Sequence, residues 1–511
     1  MSAHGDPPVA DRRGAAPRRV LPILPADGGP GIAPAVRIQA RSVRGVFARW
    51  RLALIVLTQL VFYGLPWLPW GDRPAVWFDL DGGRFFLFDA VLFPPDLIHL
   101  TGLLVFSALL LFCATAVAGR VWCGFACPQT VYTAMFMGIE RWTEGDRLAR
   151  LRLDAAPWGL AKIARRGSRQ ALWLALSLWT GFSLVAWFTP PQDLAAAVAS
   201  GTTGPWETFW CLFYAGATYV HAGLLREKVC QHACPYGRFQ GAMLDRETWV
   251  VGYDRGRGEP RGARPRGSVA SARGQGDCVD CTLCVQVCPV GIDIRDGLQA
   301  ACISCGLCID ACNGVMDKLG APRGLLRFGS FQGETGPGDG LWRTALRRRR
   351  VQAYALTLCG LALAMIGFWQ QRPLLRVEAI RDRGVMSRQL DDGSVENVYR
   401  LRVLNATARD LPLHLSAVLQ PPGAVLQPPG GGEPLRLTVH GTGPLRAPAA
   451  SISAPVVTVR VPAEALAQLP SRSVLPLQLR IDAADEAGVA DGSDVGGAGP
   501  VARTDSTLLL P

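Results

Sequence analysis

The chain has 511 residues, 49% of them hydrophobic, with a mean hydropathy of +0.19 and a formal net charge of +12. This balance suits a chain that is partly membrane and partly soluble, with more than one domain, and it argues against nucleic-acid binding, because the arginines gather beside apolar runs where membrane topology accounts for them. Fifteen cysteines, eight of them between Cys278 and Cys312, point to metal in a reducing compartment rather than to a disulfide scaffold.

Residues 1–50 are rich in Pro, Gly and Arg and read as a disordered cytoplasmic tail, not a signal peptide. Residues 51–250 carry four apolar segments, Leu52–Trp70, Leu97–Ala118, Gln170–Thr189 and Trp206–Leu225, and a fifth, Ala353–Trp369, falls within 351–370. At 1.5 Å per residue each is about long enough to cross a hydrocarbon core of roughly 30 Å. Trp67, Trp70, Trp187, Trp206 and Trp369 stand at span ends, as in an interfacial aromatic belt. Lys and Arg concentrate before the first span, between the second and third, and at Arg347–Arg350 before the fifth. The positive-inside rule then predicts a cytoplasmic N-terminus and cysteine-rich segment, and an external C-terminal region. The stretch MFMGIERWTEGDR (135–147) reads as an amphipathic helix along the inner surface, with Glu140 and Arg141 as anchors or solvated charge.

Two phrases nearly repeat each other: VWCGFACPQTVY around Cys123 and Cys127, and KVCQHACPYGRF around Cys230 and Cys234. In each, the proline disfavours helix in the cysteine before it and suits the first position of a new helix, so Cys127 and Cys234 are expected as caps at span exits. A helix N-terminus and nearby cations (Arg120, Lys228, Arg238) would lower the thiol pKa values. The duplication suggests two pseudo-equivalent hairpins that bring four thiols together, a soft site for Cu(I), zinc or an iron–sulfur cluster. Local redox disulfides and mere packing are the alternatives. His232 is a ligand candidate by position, whereas His99 and His221 lie within spans, where hydrogen-bonded structural roles are expected. Cys113, Cys211 and Cys359 read as small buried hydrophobes.

Residues 251–277 form a Gly/Arg/Pro linker, and 321–350 a second one. Between them, residues 278–320 read Cys278-x-x-Cys281-x-x-Cys284-x-x-x-Cys288-Pro and Cys302-x-x-Cys305-x-x-Cys308-x-x-x-Cys312. Such a run wraps three thiolates round one cube while the fourth reaches across to the other. Cys278, Cys281, Cys284 and Cys312 would hold one four-iron, four-sulfur cluster, and Cys302, Cys305, Cys308 and Cys288 the second. Zinc also accepts four thiolates, but seldom in a doubled three-plus-one run. Asn313 stands where a second proline is usual, near enough to loosen the turn or to hydrogen-bond beside a cluster.

From residue 376 to 511, segments such as NVYRLRVLNA and SISAPVVTVRVPA alternate apolar and polar residues between Gly/Pro clusters, and they predict a small antiparallel β-sandwich. Asn405-Ala-Thr matches a glycosylation sequon, a pattern too common to weigh.

The phrases WCGFACPQT, GIERWTEGDR, CPYGRFQGAMLDRET, VGYDRGRGEPRG, GDCVDCTLCVQVCPVGIDIRDGLQ and ACNGVMDK closely resemble the CcoG family, also called FixG or RdxA, from about residue 50 to the end. A looser likeness, through the CxxxCP spans and the ferredoxin insert, is to the polyferredoxin membrane subunits of periplasmic nitrate and nitrous-oxide systems. The closer resemblance implies a bacterial inner-membrane accessory protein for cbb3-type cytochrome c oxidase, with an immunoglobulin-like external domain and reduction of Cu(II) to Cu(I) as its activity. Its implied partners are the lipid bilayer, a cytoplasmic electron donor and the oxidase or its copper-delivery factors, with a second copy of the chain as a further candidate. Copper, as substrate or transient ligand, would meet Cys123, Cys127, Cys230 and Cys234. A transmembrane conduit to a quinone or external acceptor, for which His99 and His221 would be the suspects, and a non-catalytic assembly scaffold are the rival functions.

Overall fold

The computed structural model describes residues 38–264, 274–330, 345–381, 387–407, 409–419, 436–441, 445–466, 469, 474–483 and 501–510. The tail reading for 1–50 lies outside these residues as far as 37, as do 265–273 and 331–344 of the two linkers. The chain forms two compact units, one of residues 1–61, 108–182 and 208–357, the other of residues 62–107, 183–207 and 358–511.

Among the described residues three helical segments are long and apolar enough to cross a membrane: Val46–Trp67, Pro94–Ala118 and Arg349–Gln370. They contain helices α1 (Val46–Gly64) and α2 (Leu97–Ala118), and the last is a single helix, α9 (Arg349–Gln370). The predicted third and fourth spans take a different form. α5 (Leu160–Val185) opens with Lys162, Arg165, Arg166 and Arg169, which leaves a shorter apolar part. α6 (Pro205–Thr218) has 14 residues and runs on into a π-helical segment, Tyr219–Leu225. Apolar composition does not distinguish an α turn from a π turn, which adds one residue per hydrogen bond.

In the first unit, α3 (Pro128–Glu144) and α4 (Arg147–Ala155) follow the first thiol phrase, and α7 (Pro235–Met243) follows the second. Phe136, Trp173 and Ala222 make a core joining α3, α5 and the π segment. Glu140, read as surface charge, is instead buried between Arg150 (2.8 Å) and Arg226 (2.5 Å), and Arg169 pairs with Glu144 at 2.8 Å. Arg150 also donates to the Ala40 carbonyl at 2.7 Å, and both Arg169 and Arg226 lie over the Trp173 ring. A carboxylate removed from water needs such partners, and here each arginine supplies one. Arg141 does lie exposed.

The segments read as linkers hold ordered structure: β4 (Trp249–Tyr253) pairs antiparallel with β5 (Leu326–Ser330) and brackets the cysteine segment. Arg257 adds a clasp, donating to Asp277 and to the Arg323 carbonyl. Of the three remaining cysteines, Cys113 and Cys211 are half-buried and Cys359 is exposed on α9, so none is as enclosed as expected.

In the second unit, β1 (Val76–Asp79), β2 (Arg84–Leu87) and β3 (Ala90–Leu92) form a small meander whose Phe86 and Val91 pack with Phe93, Leu404 and Ala406. Asp96 is buried between Arg372 (2.8 Å) and Arg376 (2.7 Å). The C-terminal region is all antiparallel, with strands β6 (Leu375–Arg381), β7 (Val395–Asn405), β8 (Leu411–Leu419), β9 (Arg436–Gly441), β10 (Val456–Val461), β11 (Val474–Ala483) and β12 (Val501–Leu509). The spatial order is β6-β7-β10-β9-β8-β11-β12. The predicted alternation is realised: Tyr399, Leu401 and Val403 of β7, Val457, Val459 and Val461 of β10, and Leu475, Leu477, Leu479 and Ile481 of β11 all point into one core. Two buried asparagines are fully used. Asn397 exchanges two hydrogen bonds with the Leu509 backbone, and Asn405 donates to the carbonyls of Arg409, Ala447 and Pro448 while accepting from Thr407. The sequon at Asn405 therefore marks a structural side chain.

Candidate iron–sulfur and four-thiol centre

The two halves of the cysteine segment share a backbone device. Asp280 and Thr282, and at the same offsets Ser304 and Gly306, adopt left-handed conformations with φ of 52°, 55°, 53° and 72°. This coils each Cys-x-x-Cys-x-x-Cys loop so that its thiols face inward before a helix starts, at Leu283 in the first half and at α8 (Leu307–Leu319) in the second. Gly306 has a further reason to lack a side chain, since a Cβ there would come within 2.6 Å of the Phe47 ring.

One cavity is lined by Cys278, Cys281, Cys284 and Cys312 together with Tyr253, Arg295 and Met316. Another is lined by Cys288, Cys302, Cys305 and Cys308, enclosed by Val251, Val290, Ile292 and Ile303, with Cys284 at its edge. Three thiols thus come from one loop and the fourth from the other, the arrangement the spacing predicts. Among the described residues no three Cys, His, Asp or Glu side chains close on a single ion. Each donor set of four thiols, three from one loop and one from the other, is of the kind that holds a four-iron, four-sulfur cluster. Burial raises the bare thiols, Cys288 to about 12 and Cys302 to about 11, a penalty that bound iron would reverse. The Ser304 N–H donates to Cys302 Sγ at 3.5 Å. Asn313 does not turn to a cluster; its Oδ1 accepts from the Gly324 N–H at 3.1 Å and ties α8 to the strand beyond it.

The CxxxCP cysteines sit at the expected breaks. Cys127 and Cys234 cap α3 and α7 in extended conformations (ψ 128° and 110°), with Pro128 and Pro235 opening the helices. The approaches differ: Cys123 lies on a short α-helix, Val121–Phe125, whereas Cys230 lies on a π-helical turn, Val229–Ala233. All four thiols come within electrostatic reach of one another, Cys123 of the other three and Cys127 of Cys234.

The expected activation is corrected for Cys123, Cys127 and Cys230. Burial first, and the neighbouring thiols after it, push Cys123 up to about 12 and Cys230 up to about 11, against a smaller lowering by Arg120. Cys127 is raised too, although the Thr130 and Gln129 N–H groups at the start of α3 pull it down. Desolvation outweighs the helix terminus because a buried thiolate loses far more hydration than the terminus returns. The side chain of Arg238, expected as a cation here, lies outside the described set.

The first phrase packs directly on the second cavity, where Cys123 joins the cluster of Val290, Ile303 and Cys305 with Cys288 beside it. Gly124 permits this approach, since a Cβ there would stand 2.6 Å from the Ile303 carbonyl oxygen and 2.9 Å from the Cys305 Cα. The second phrase touches the same loop region through Gln231, whose Nε2 donates to the Val290 carbonyl at 3.4 Å.

Two residues not singled out as ligands hold this arrangement together. The buried Arg120 guanidinium donates to the carbonyls of Ala300 and Gly237, clipping the first phrase to the cysteine segment and to the second phrase at once. Gln240 of α7 is fully buried; its Oε1 accepts from Cys123 Sγ at 3.3 Å and its Nε2 donates to Thr115 Oγ1 at 3.3 Å. His232 is exposed. His99 is hydrogen-bonded through Nδ1 to the Asp96 carbonyl while its buried Nε2 has no hydrogen-bond partner among the described residues, and His221 Nδ1 bonds the Ala217 carbonyl of its own helical stretch.

Comparison with known families places these elements. Residues 225–331 match a 4Fe-4S dicluster domain, residues 98–143 a 4Fe-4S binding domain, and residues 365–494 the IG-like fold at the C-terminal of FixG. Protein RdxA of Cereibacter sphaeroides is 36% identical over 478 residues, covering 91% of this chain and 97% of that one. Protein RdxB of the same organism is 39% identical over 74% of this chain and 81% of its own. The nitrogen fixation protein FixG of Rhizobium meliloti is 36% identical over 72% of this chain and 76% of its own.

Proposed function

Because the chain belongs to the FixG/RdxA family, we propose that this membrane-associated iron–sulfur protein passes electrons from a soluble donor through two clusters to its CxxxCP thiols. There it reduces Cu(II) to Cu(I) for a cbb3-type oxidase. Cys278, Cys281, Cys284 and Cys312 hold the first cluster, and Cys288, Cys302, Cys305 and Cys308 the second. Cys123, Cys127, Cys230 and Cys234 meet copper as substrate, on the cytoplasmic side of a five-span inner-membrane protein whose immunoglobulin-like domain lies outside.

The observation that carries this reading is the packing of Cys123 against Val290, Ile303 and Cys305, with Cys288 beside it, since it sets a CxxxCP thiol next to the residues that enclose the second cluster. Each turnover moves one electron, lost by a reduced cluster and gained by Cu(II), and soft thiolates favour the Cu(I) product. Arg120, Gln240 and Gly124 keep the two partners in register. The test is stopped-flow oxidation of the anaerobically reduced protein by Cu(II). Alanine at all four CxxxCP cysteines should abolish the fast phase while leaving cluster spectra intact, and an unchanged rate would remove copper from these thiols.

A second reading is favoured by the 4Fe-4S match over residues 98–143, which contain the first phrase. In it the four thiols hold a third cluster. Iron analysis separates the two, with about eight iron atoms per chain for the copper reading and about twelve for the cluster reading.

A further inference from the structure

A cleft of ≈ 890 Å³ lies beside the start of α1, within the first unit, where Val287, Pro289, Leu307 and Asn313 of the cysteine segment form its far wall. Six arginines line it, Arg41, Arg44, Arg49, Arg51, Arg141 and Arg323, against two aspartates that are already engaged. Asp310 accepts the Phe47 and Ala48 N–H groups at 3.3 and 2.8 Å, capping α1, and Asp317 pairs with Arg323 at 2.6 Å. Arg51 is only 8% exposed, its Nε has no hydrogen-bond partner, and among the described residues it pairs with no carboxylate. Arg44, Arg49 and Arg141 likewise face no carboxylate partner among the described residues. A buried guanidinium N–H left without an acceptor is unfavourable, so the site is built for an anion that the described residues do not provide.

The remaining lining defines that anion's carrier. Leu52 and Ile55 continue the cleft along α1 into its membrane-spanning length, and Ala134, Met135, Met137 and Gly138 of α3 form the facing wall. Among the described residues no aromatic ring on which a nucleotide base could stack lines the cleft. A charged end joined to an apolar slot that enters a span fits an amphiphile. We propose that the cleft binds one anionic phospholipid, its phosphate held by Arg51 with Arg44 and Arg141 and its acyl chains lying along α1 and α3. The bound headgroup supplies Arg51 with its missing acceptor, and because Asp310 caps α1 from the cysteine segment's own helix α8, the lipid seats that segment against the bilayer surface.

The test uses the full chain in nanodiscs of phosphatidylcholine alone or with phosphatidylglycerol, read by native mass spectrometry and thermal midpoint. One phosphatidylglycerol should remain bound per chain on release and raise the midpoint, with phosphatidylcholine doing neither. Each arginine near a membrane surface contributes about 1 kcal/mol, so Arg44→Gln with Arg141→Gln should weaken retention about 25-fold. These two residues are exposed, so the variant keeps its fold even should Arg51→Gln prove insoluble. Equal retention of phosphatidylcholine, or undiminished retention in the double variant, would overturn the proposal. Displacement by millimolar inorganic phosphate would mean a free-anion site instead, and displacement by NADH a nucleotide site.

Discussion

The ferredoxin thiols and the CxxxCP thiols make opposite use of the chain. Each ferredoxin cage draws three cysteines from one seven-residue loop and one from its twin, and paired left-handed residues at matching offsets set both loops. The CxxxCP group draws two cysteines from each of two distant helix starts, and its geometry depends on Arg120, Gln240 and Gly124 to hold them in place. A site encoded locally is rigid by construction, whereas one assembled across the fold is only as well placed as the contacts that assemble it.

The sharpest break in this comparison comes from Cys305→Ser. Iron should fall by about half, and reduction of the CxxxCP site should cease, as read by iron analysis, EPR and stopped flow. Next, Cys123→Ala with Cys127→Ala should leave both ferredoxin signals intact while slowing Cu(II) reduction by about 10–100-fold or more; a parallel loss of ferredoxin EPR would mean the two regions are not separable. Gly124→Ala forces a Cβ into the Ile303–Cys305 backbone and should cost about 1–3 kcal/mol of stability, together with slower re-oxidation at unchanged iron content. Gln240→Leu is the mildest, removing the acceptor from Cys123 and the donor to Thr115 for about 1 kcal/mol. Its expected signature is a changed Cu(II) dependence with normal cluster spectra.

What could be read from the sequence follows the same division. The three-plus-one cages, the proline breaks at Pro128 and Pro235, and the period-two strands β7 and β10 are local, and each appears where spacing or alternation puts it. Glu140 was legible only as a charge on an amphipathic helix, because its second partner, Arg226, arrives 86 residues later. The thiols around Cys123 read as activated because cations and helix starts are visible in a sequence and burial is not. Arg120 was legible only as a cation beside the first phrase and Gln240 not at all, since the contacts that give each its role lie more than a hundred positions away. The short strands β4 and β5 hid within Gly- and Arg-rich segments, where their pairing becomes apparent only across the intervening cysteines.

The Asn405 side chain bears on how this protein's topology can be mapped. Its amide hydrogen bonds go to the backbone of its own turn at Thr407 and Arg409 and to the carbonyls of Ala447 and Pro448 on a separate segment, so an oligosaccharyltransferase could not reach it once the strand has formed. A microsome assay that scored the native sequon would therefore read whether the strand had formed as well as which side the domain occupied, and a reporter acceptor is better engineered on an exposed turn such as Asp391–Gly393.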